Sequence, residues 1–135
     1  MSQHIKKMFQ AASSAKEKSY SPYSKFRVGA CILGDDGKLY VGCNIENASY
    51  RMTQCAESSA VSAMVTAGVR RIKEILVVGD IDEKLVPCGA CRQQLREFSD
   101  INTLVHLCNK HGETETISLF DLLHRSFGPE FLEEK

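Results

Sequence analysis

The sequence predicts a three-layer α/β/α domain on a five-stranded mixed sheet whose last two strands run antiparallel. Three observations carry this. Helix-like and strand-like segments follow one another as α-β-β-α-β-α-β-β along 135 residues, an order that leaves helices to cover both faces of a sheet. The run Ile75-Leu76-Val77-Val78 is continuously apolar, as suits a strand buried on both faces at the centre of a sheet. Only Lys110-His111-Gly112-Glu113 separates the last two strand-like segments, and a parallel return would need about a dozen residues.

Each element has its own signal. Ile5, Met8, Phe9, Ala12 and Ala15 recur at helical spacing over residues 2–18, with Ser2 placed to cap the helix. Ser19-Tyr20-Ser21-Pro22-Tyr23-Ser24 breaks it, because proline and serine favour turns. Phe26, Val28, Ala30 and Ile32 then alternate with their neighbours, and Gly34-Asp35-Asp36-Gly37 leads into a second run at 38–44, which reads as a hairpin. Residues 44–54 are polar and show no period. Cys55 opens a helix of small residues, with alanines at 56, 60, 63 and 67, that ends at Gly68. A strand at 72–79, a helix from the cysteine pair through Phe98, strands around 103–109 and 114–118, and a short helix capped by Ser118 complete the order. A phenylalanine-rich tail follows. No repeat, low-complexity tract or linker interrupts 1–135, so one domain is expected.

Composition narrows the function. Seventeen Lys and Arg balance seventeen Asp and Glu, which argues against a chain built to hold a nucleic-acid backbone or an anionic membrane. The N-terminal residues have no signal-peptide core and no stretch reaches membrane-spanning length, so a cytoplasmic protein is expected. There its six cysteines should be reduced, and clustered ones should bind metal or do chemistry rather than cross-link.

Two segments matter together: Cys55-Ala56-Glu57 and Pro87-Cys88-Gly89-Ala90-Cys91. The second alone is a redox pair or half a zinc site. Combined, they supply three thiolates, one short of a closed structural zinc site, and so suggest one zinc with a fourth position left for water. Three thiolates would blunt the acidity of that water. Placing them at helix N-termini, where unpaired amides and the dipole stabilise anionic sulfur, offsets this. Glu57, two residues past the first cysteine, can then move protons at the water without being a ligand. Cys31, Cys43 and Cys108 fall in strands and are expected to pack as small apolar residues. His106, in a strand, and His111, in a turn, are given no special role.

With these residues in view, the sequence resembles the cytidine deaminase family of zinc hydrolases, and in particular its small homotetrameric three-cysteine branch. The likeness extends to the segments SYSPYSKFRVGACIL, GCNIENASY, PCGACRQ and SFGPEFL, which together cover nearly the whole chain. It implies a pyrimidine-salvage enzyme that converts cytidine and deoxycytidine to uridine and deoxyuridine. It also implies Glu57 as the catalytic proton shuttle and Cys55, Cys88 and Cys91 as ligands of one Zn2+ per subunit. Phe26, Asn44 and Glu46 would line the nucleoside pocket, with Asn44 and Glu46 on the ribose 3′-hydroxyl. The backbone at Ala56, and the carbonyl of Pro87 or its neighbour, would contact the base. Tyr50 and Phe127 match aromatics donated across subunit interfaces, which implies a homotetramer with shared sites and no nucleic-acid or membrane partner. Relatives often carry arginine after the CAE triplet, where this chain has Ser58. Ser58 with the helix dipoles, or else Arg51 or Arg92, would then balance the thiolate charge. Three other readings compete: a related deaminase of another amine-bearing base or nucleotide, an RNA- or DNA-editing subunit, and a zinc-stabilised module without catalysis.

Overall fold

A computed structural model describes residues 2–133. Its elements are α1 (Gln3–Lys16), β1 (Val28–Gly34), β2 (Leu39–Cys43), α2 (Ala56–Thr66), β3 (Ile72–Gly79), α3 (Gly89–Glu97), β4 (Leu104–Cys108), β5 (Thr114–Ser118) and α4 (Leu119–Leu122), with single 3₁₀ turns at Tyr50–Met52 and Pro129–Phe131. The sheet order is β2-β1-β3-β4-β5. β1 pairs antiparallel with β2 and β3, β3 and β4 are parallel, and β4 and β5 are antiparallel. The expected three-layer fold with a mixed sheet and an antiparallel final pair is therefore the one observed. The apolar run of β3 occupies the centre.

Alternation along the strands sends side chains to two cores. Val28, Ala30, Ile32, Ile75, Val77, Val105 and Leu107 pack against α2, α3 and α4 through Ala56, Ala60, Met64, Leu95 and Leu119. On the other face, Cys31, Leu76, Val78 and Cys108 meet Met8 and Ala12 of α1. Two glycines let the helices sit this close. A Cβ on Gly29 would strike the Ala12 carbonyl oxygen, and one on Gly42 would strike the Ala60 amide and Ala56 carbonyl. Gly42 thus sets the height of the first turn of α2, and with it Cys55, above the sheet.

The segment at 44–54, which shows no period in sequence, is held by pairing. Ile45 bridges both Tyr20 and Gln54, and Asn47 and Thr53 close the turn between them, the Asn47 amide donating to Thr53 Oγ1 at 3.2 Å. Such a loop is fixed by tertiary partners rather than by its own propensity. The C-terminal tail is pinned by Arg96, which lies 4.6 Å from the Phe120 ring centre and donates to Ser126 Oγ at 2.8 Å and Glu130 Oε2 at 2.6 Å. No disulfide forms among the six cysteines.

Candidate active site

Two helix starts meet beside the C-terminal end of β3. Cys55 is the N-cap of α2 and Cys88 the N-cap of α3, both in extended backbone, and neither side chain caps its own helix. Cys91 lies one turn into α3 and is buried. The three sulfurs lie within 4.8 Å of one another, and among the described residues no other His, Cys, Asp or Glu joins this cluster. Tetrahedral zinc, with Zn–S of about 2.3 Å, needs sulfurs about 3.8 Å apart, so the donors fit a zinc ion with one position left over. Two helix N-termini, those of α2 and α3, begin at the cluster, the environment that favours thiolate.

The thiols and the nearby acid shift in complementary directions. Hydrogen bonding from Cys91, opposed by burial and assisted by Cys88, brings the Cys55 thiol down to about 6, while the donating Cys91 thiol moves up. Glu57, in the first turn of α2, is 4% exposed. Burial, with the charge at Cys55 adding to it, pushes its carboxyl up to about 7. A carboxyl that titrates near neutrality can both take and give a proton under working conditions.

The sulfurs and Glu57 open onto a cleft of about 230 Å³. Phe26, Asn44, Glu46 and Ala56 also line it, joined by Ser24, Thr53, Gln54, Leu85 and Val86. Gly79 leaves room for the Phe26 ring, whose Cζ would lie 3.1 Å from a Cβ there. Most of the Asn44 amide is used internally. Its Nδ2 donates to the Phe26 carbonyl at 2.8 Å, and its Oδ1 accepts from the Val28 amide at 2.9 Å and from Ser19 Oγ. One N–H of Nδ2 is left for anything in the cleft. The carboxylate of Glu46 accepts from the amides of Tyr23 and Ser24 at 2.9 and 3.1 Å and from Ser24 Oγ. The Ser24 hydroxyl, against opposing burial, is the main reason that carboxyl sits below its usual range.

Other expected positions fall outside the cleft or are otherwise engaged. Tyr50 is 76% exposed and lines an adjoining recess with Tyr23, Ser24, Glu46 and Thr53. Phe127 is not in the cleft wall; it stacks on Phe131 at 5.4 Å, and its carbonyl accepts from Gln93 Nε2. The Pro87 carbonyl accepts from Arg92 Nε at 2.8 Å, and Val86, not Pro87, lines the cleft. Thr53, Gln54 and Leu85 carry no signal in the sequence, because they lie in loops without periodic pattern.

Comparison with known proteins decides the family. The sequence profile described as the cytidine and deoxycytidylate deaminase zinc-binding region matches residues 2–108. The chain belongs to the cytidine and deoxycytidylate deaminase family. It is 44% identical to a cytidine deaminase of Sporosarcina psychrophila over 95% of this chain and 94% of that one. It is 42% identical to one from Halalkalibacterium halodurans over 91% and 93%. A crystal structure of cytidine deaminase from Burkholderia pseudomallei superposes with a TM-score of 0.87 at 42% identity, covering 94% of this chain and all of that one. The enzyme from Mycobacterium tuberculosis superposes at 0.80 with 37% identity, covering 91% and 96%.

As a member of the deaminase family this chain is a zinc-dependent enzyme, and its three-cysteine cluster suits one zinc. The side chains considered for balancing the sulfur charge have these partners. Ser58 Oγ donates to Gln94 Oε1 at 2.7 Å, and Arg92 donates to the carbonyls of Pro87 and Leu122. Arg51 is exposed in the 3₁₀ turn. Ser58, Arg92 and Arg51 thus have other partners or face solvent, while the N-termini of α2 and α3 begin at the sulfurs.

Proposed function

We propose that this chain, folded as one domain, hydrolytically deaminates cytidine and deoxycytidine to uridine and deoxyuridine, as a pyrimidine-salvage enzyme of the cytoplasm. The observation that carries the reading is the cleft itself: a buried carboxyl tuned near neutrality beside three convergent sulfurs, in a wall without Lys, Arg or His. Cys55, Cys88 and Cys91 would hold the zinc. Bound there, zinc supplies the Lewis acidity that makes water nucleophilic near neutral pH.

The chain's own residues do the rest. Glu57 takes a proton from the attacking water and places it on N3 of the base as the oxygen adds to C4. It then carries the second proton to the amino group, the C4–N4 bond breaks, and ammonia leaves. Phe26 offers an aromatic face to the pyrimidine, and the backbone at Ala56 and Val86 offers its polar groups to the base edge. The remaining Asn44 N–H and the Glu46 carboxylate suit sugar hydroxyls, as donor and acceptor. A nucleotide would bring its phosphate to a wall that carries Glu46 and no Lys, Arg or His side chain, which favours the nucleoside.

The exposed aromatics support a further part of the reading. Tyr50, at the rim, and Phe127, on the tail, present apolar surface that a second copy of the chain can cover. In this reading a homotetramer shares its sites, with Tyr50 and Phe127 serving a neighbour's cleft. The decisive experiment follows ultraviolet loss of cytidine, deoxycytidine and deoxycytidylate before and after chelation. Turnover of the two nucleosides alone, abolished by chelator and restored by zinc, is expected. Zinc-replete protein that leaves cytidine intact overturns the proposal.

A further inference from the structure

Away from the cleft, on the sheet face covered by α1, two imidazoles and a carboxylate converge. His4 in the first turn of α1, Glu74 on β3 and His106 on β4 each place a potential ligand atom within 4.8 Å of the others. Both Nε2 atoms approach the same oxygen, Glu74 Oε1, at 3.0 Å from His4 and 2.5 Å from His106. His106 lies opposite Leu76 in the parallel pair and is 1% exposed, whereas the His4 side chain is 54% exposed. The cluster is therefore closed from the core side and open at the helix.

The outer nitrogens are also held. His106 Nδ1 is hydrogen-bonded to Thr116 Oγ1 of β5 at 2.8 Å, and His4 Nδ1 to Ser2 Oγ at 3.2 Å. Ser2 is the N-cap of α1, yet its hydroxyl makes no cap bond, which leaves it to orient the ring. Metal-ligating histidines are typically fixed in this way, by a partner on the nitrogen that does not face the metal.

We propose that His4, Glu74 and His106 form a second metal site, for a divalent ion of the zinc class, that ties the start of α1 to β3 and β4. Two imidazoles and one carboxylate are a known zinc donor set with a fourth position for water. Zinc–ligand bonds of about 2.1 Å place donors about 3.4 Å apart at tetrahedral angles. The two contacts on Glu74 Oε1, at 3.0 and 2.5 Å, are shorter than this, so an ion between the three groups would move the carboxylate outward from both rings. The set has nitrogen and oxygen donors only, so it differs in kind from the sulfur cluster and can be told apart from it. The inference is independent of what the cleft does.

The test uses the zinc-loaded protein dialysed against micromolar Zn2+, with metal counted by elemental analysis and the second affinity measured by titration. Two zinc ions per chain are expected, against one for Glu74→Gln. His4→Gln, on an exposed helix turn, should keep the fold and weaken the second ion at least tenfold. Thr116→Val, with all three ligands intact, should weaken it about 10- to 100-fold. Co2+ added as the second ion should show no sulfur-to-metal charge-transfer band. A wild-type protein that takes up one zinc only overturns the proposal, as do His4→Gln and Glu74→Gln proteins that bind the second as tightly as wild type.

Discussion

At the scale of single residues, burial gives Glu57 its character. A carboxylate two positions past an N-cap would ordinarily be a surface charge that favours the helix dipole. Here it is enclosed and its carboxyl rises to about 7. Glu57→Gln keeps the shape and the three sulfurs but cannot ferry protons. It should retain one zinc per chain and lose about 10²- to 10⁴-fold in kcat, read by elemental analysis beside steady-state turnover; near-normal turnover would remove Glu57 from the mechanism. The cysteine trio and Glu57 were legible because their spacing within two short segments is local. The duties of Asn44 were not: its bonds reach Ser19, Phe26 and Val28, and no periodicity announces a side chain that braces a neighbouring strand. His4, Glu74 and His106 were equally hidden, since only the folded sheet brings such distant positions together.

At the scale of elements, Asp80, just past the end of β3, links three of them. It accepts from Lys16 Nζ of α1 at 2.5 Å and from Arg27 Nε, just before β1, at 2.7 Å. Burial works to raise its carboxyl, but the hydrogen bonds from Lys16 and Arg27 prevail and hold it below the usual range. Because the folded value is the lower one, this contribution is fully present above the unfolded value of about 3.9. It fades as pH falls through the folded value. Asp80→Asn should cost about 1–2 kcal/mol at pH 7, and its melting temperature should converge on that of wild type as pH falls below the unfolded value and through the lower folded one. A constant difference across that range would show that the ionised carboxylate is not what joins α1 to the sheet. The element boundaries themselves were largely legible, and the exceptions have physical reasons. The first helix stops at Lys16, one residue past the end of its apolar stripe and two short of 18, and the chain beyond it turns toward the Tyr20–Ile45 bridge.

At the scale of the whole molecule, the order of elements and the apolar run of β3 sufficed to anticipate the sheet, because burial on both faces leaves a central strand little choice of sequence. How the surface is used is not written in periodicity or composition; only the family resemblance points to it, through Tyr50 and Phe127. Tyr50, Met52, Phe127, Phe131 and Leu132 are all more than half exposed, apolar surface that a second copy of the chain can cover. Light scattering should give a mass near four times 15.0 kDa; a 15.0 kDa particle with full activity would exclude sites shared between subunits. The placement of the cysteines at two helix starts carries one more implication. An ion gripped by Cys55 and Cys88 closes the chain between them into a ring that contains all of α2 and β3. The ring would lower the entropy of the denatured chain, so stripping the ion would slacken the central strand as well as silence the chemistry, and its backbone amides would trade hydrogen for deuterium sooner.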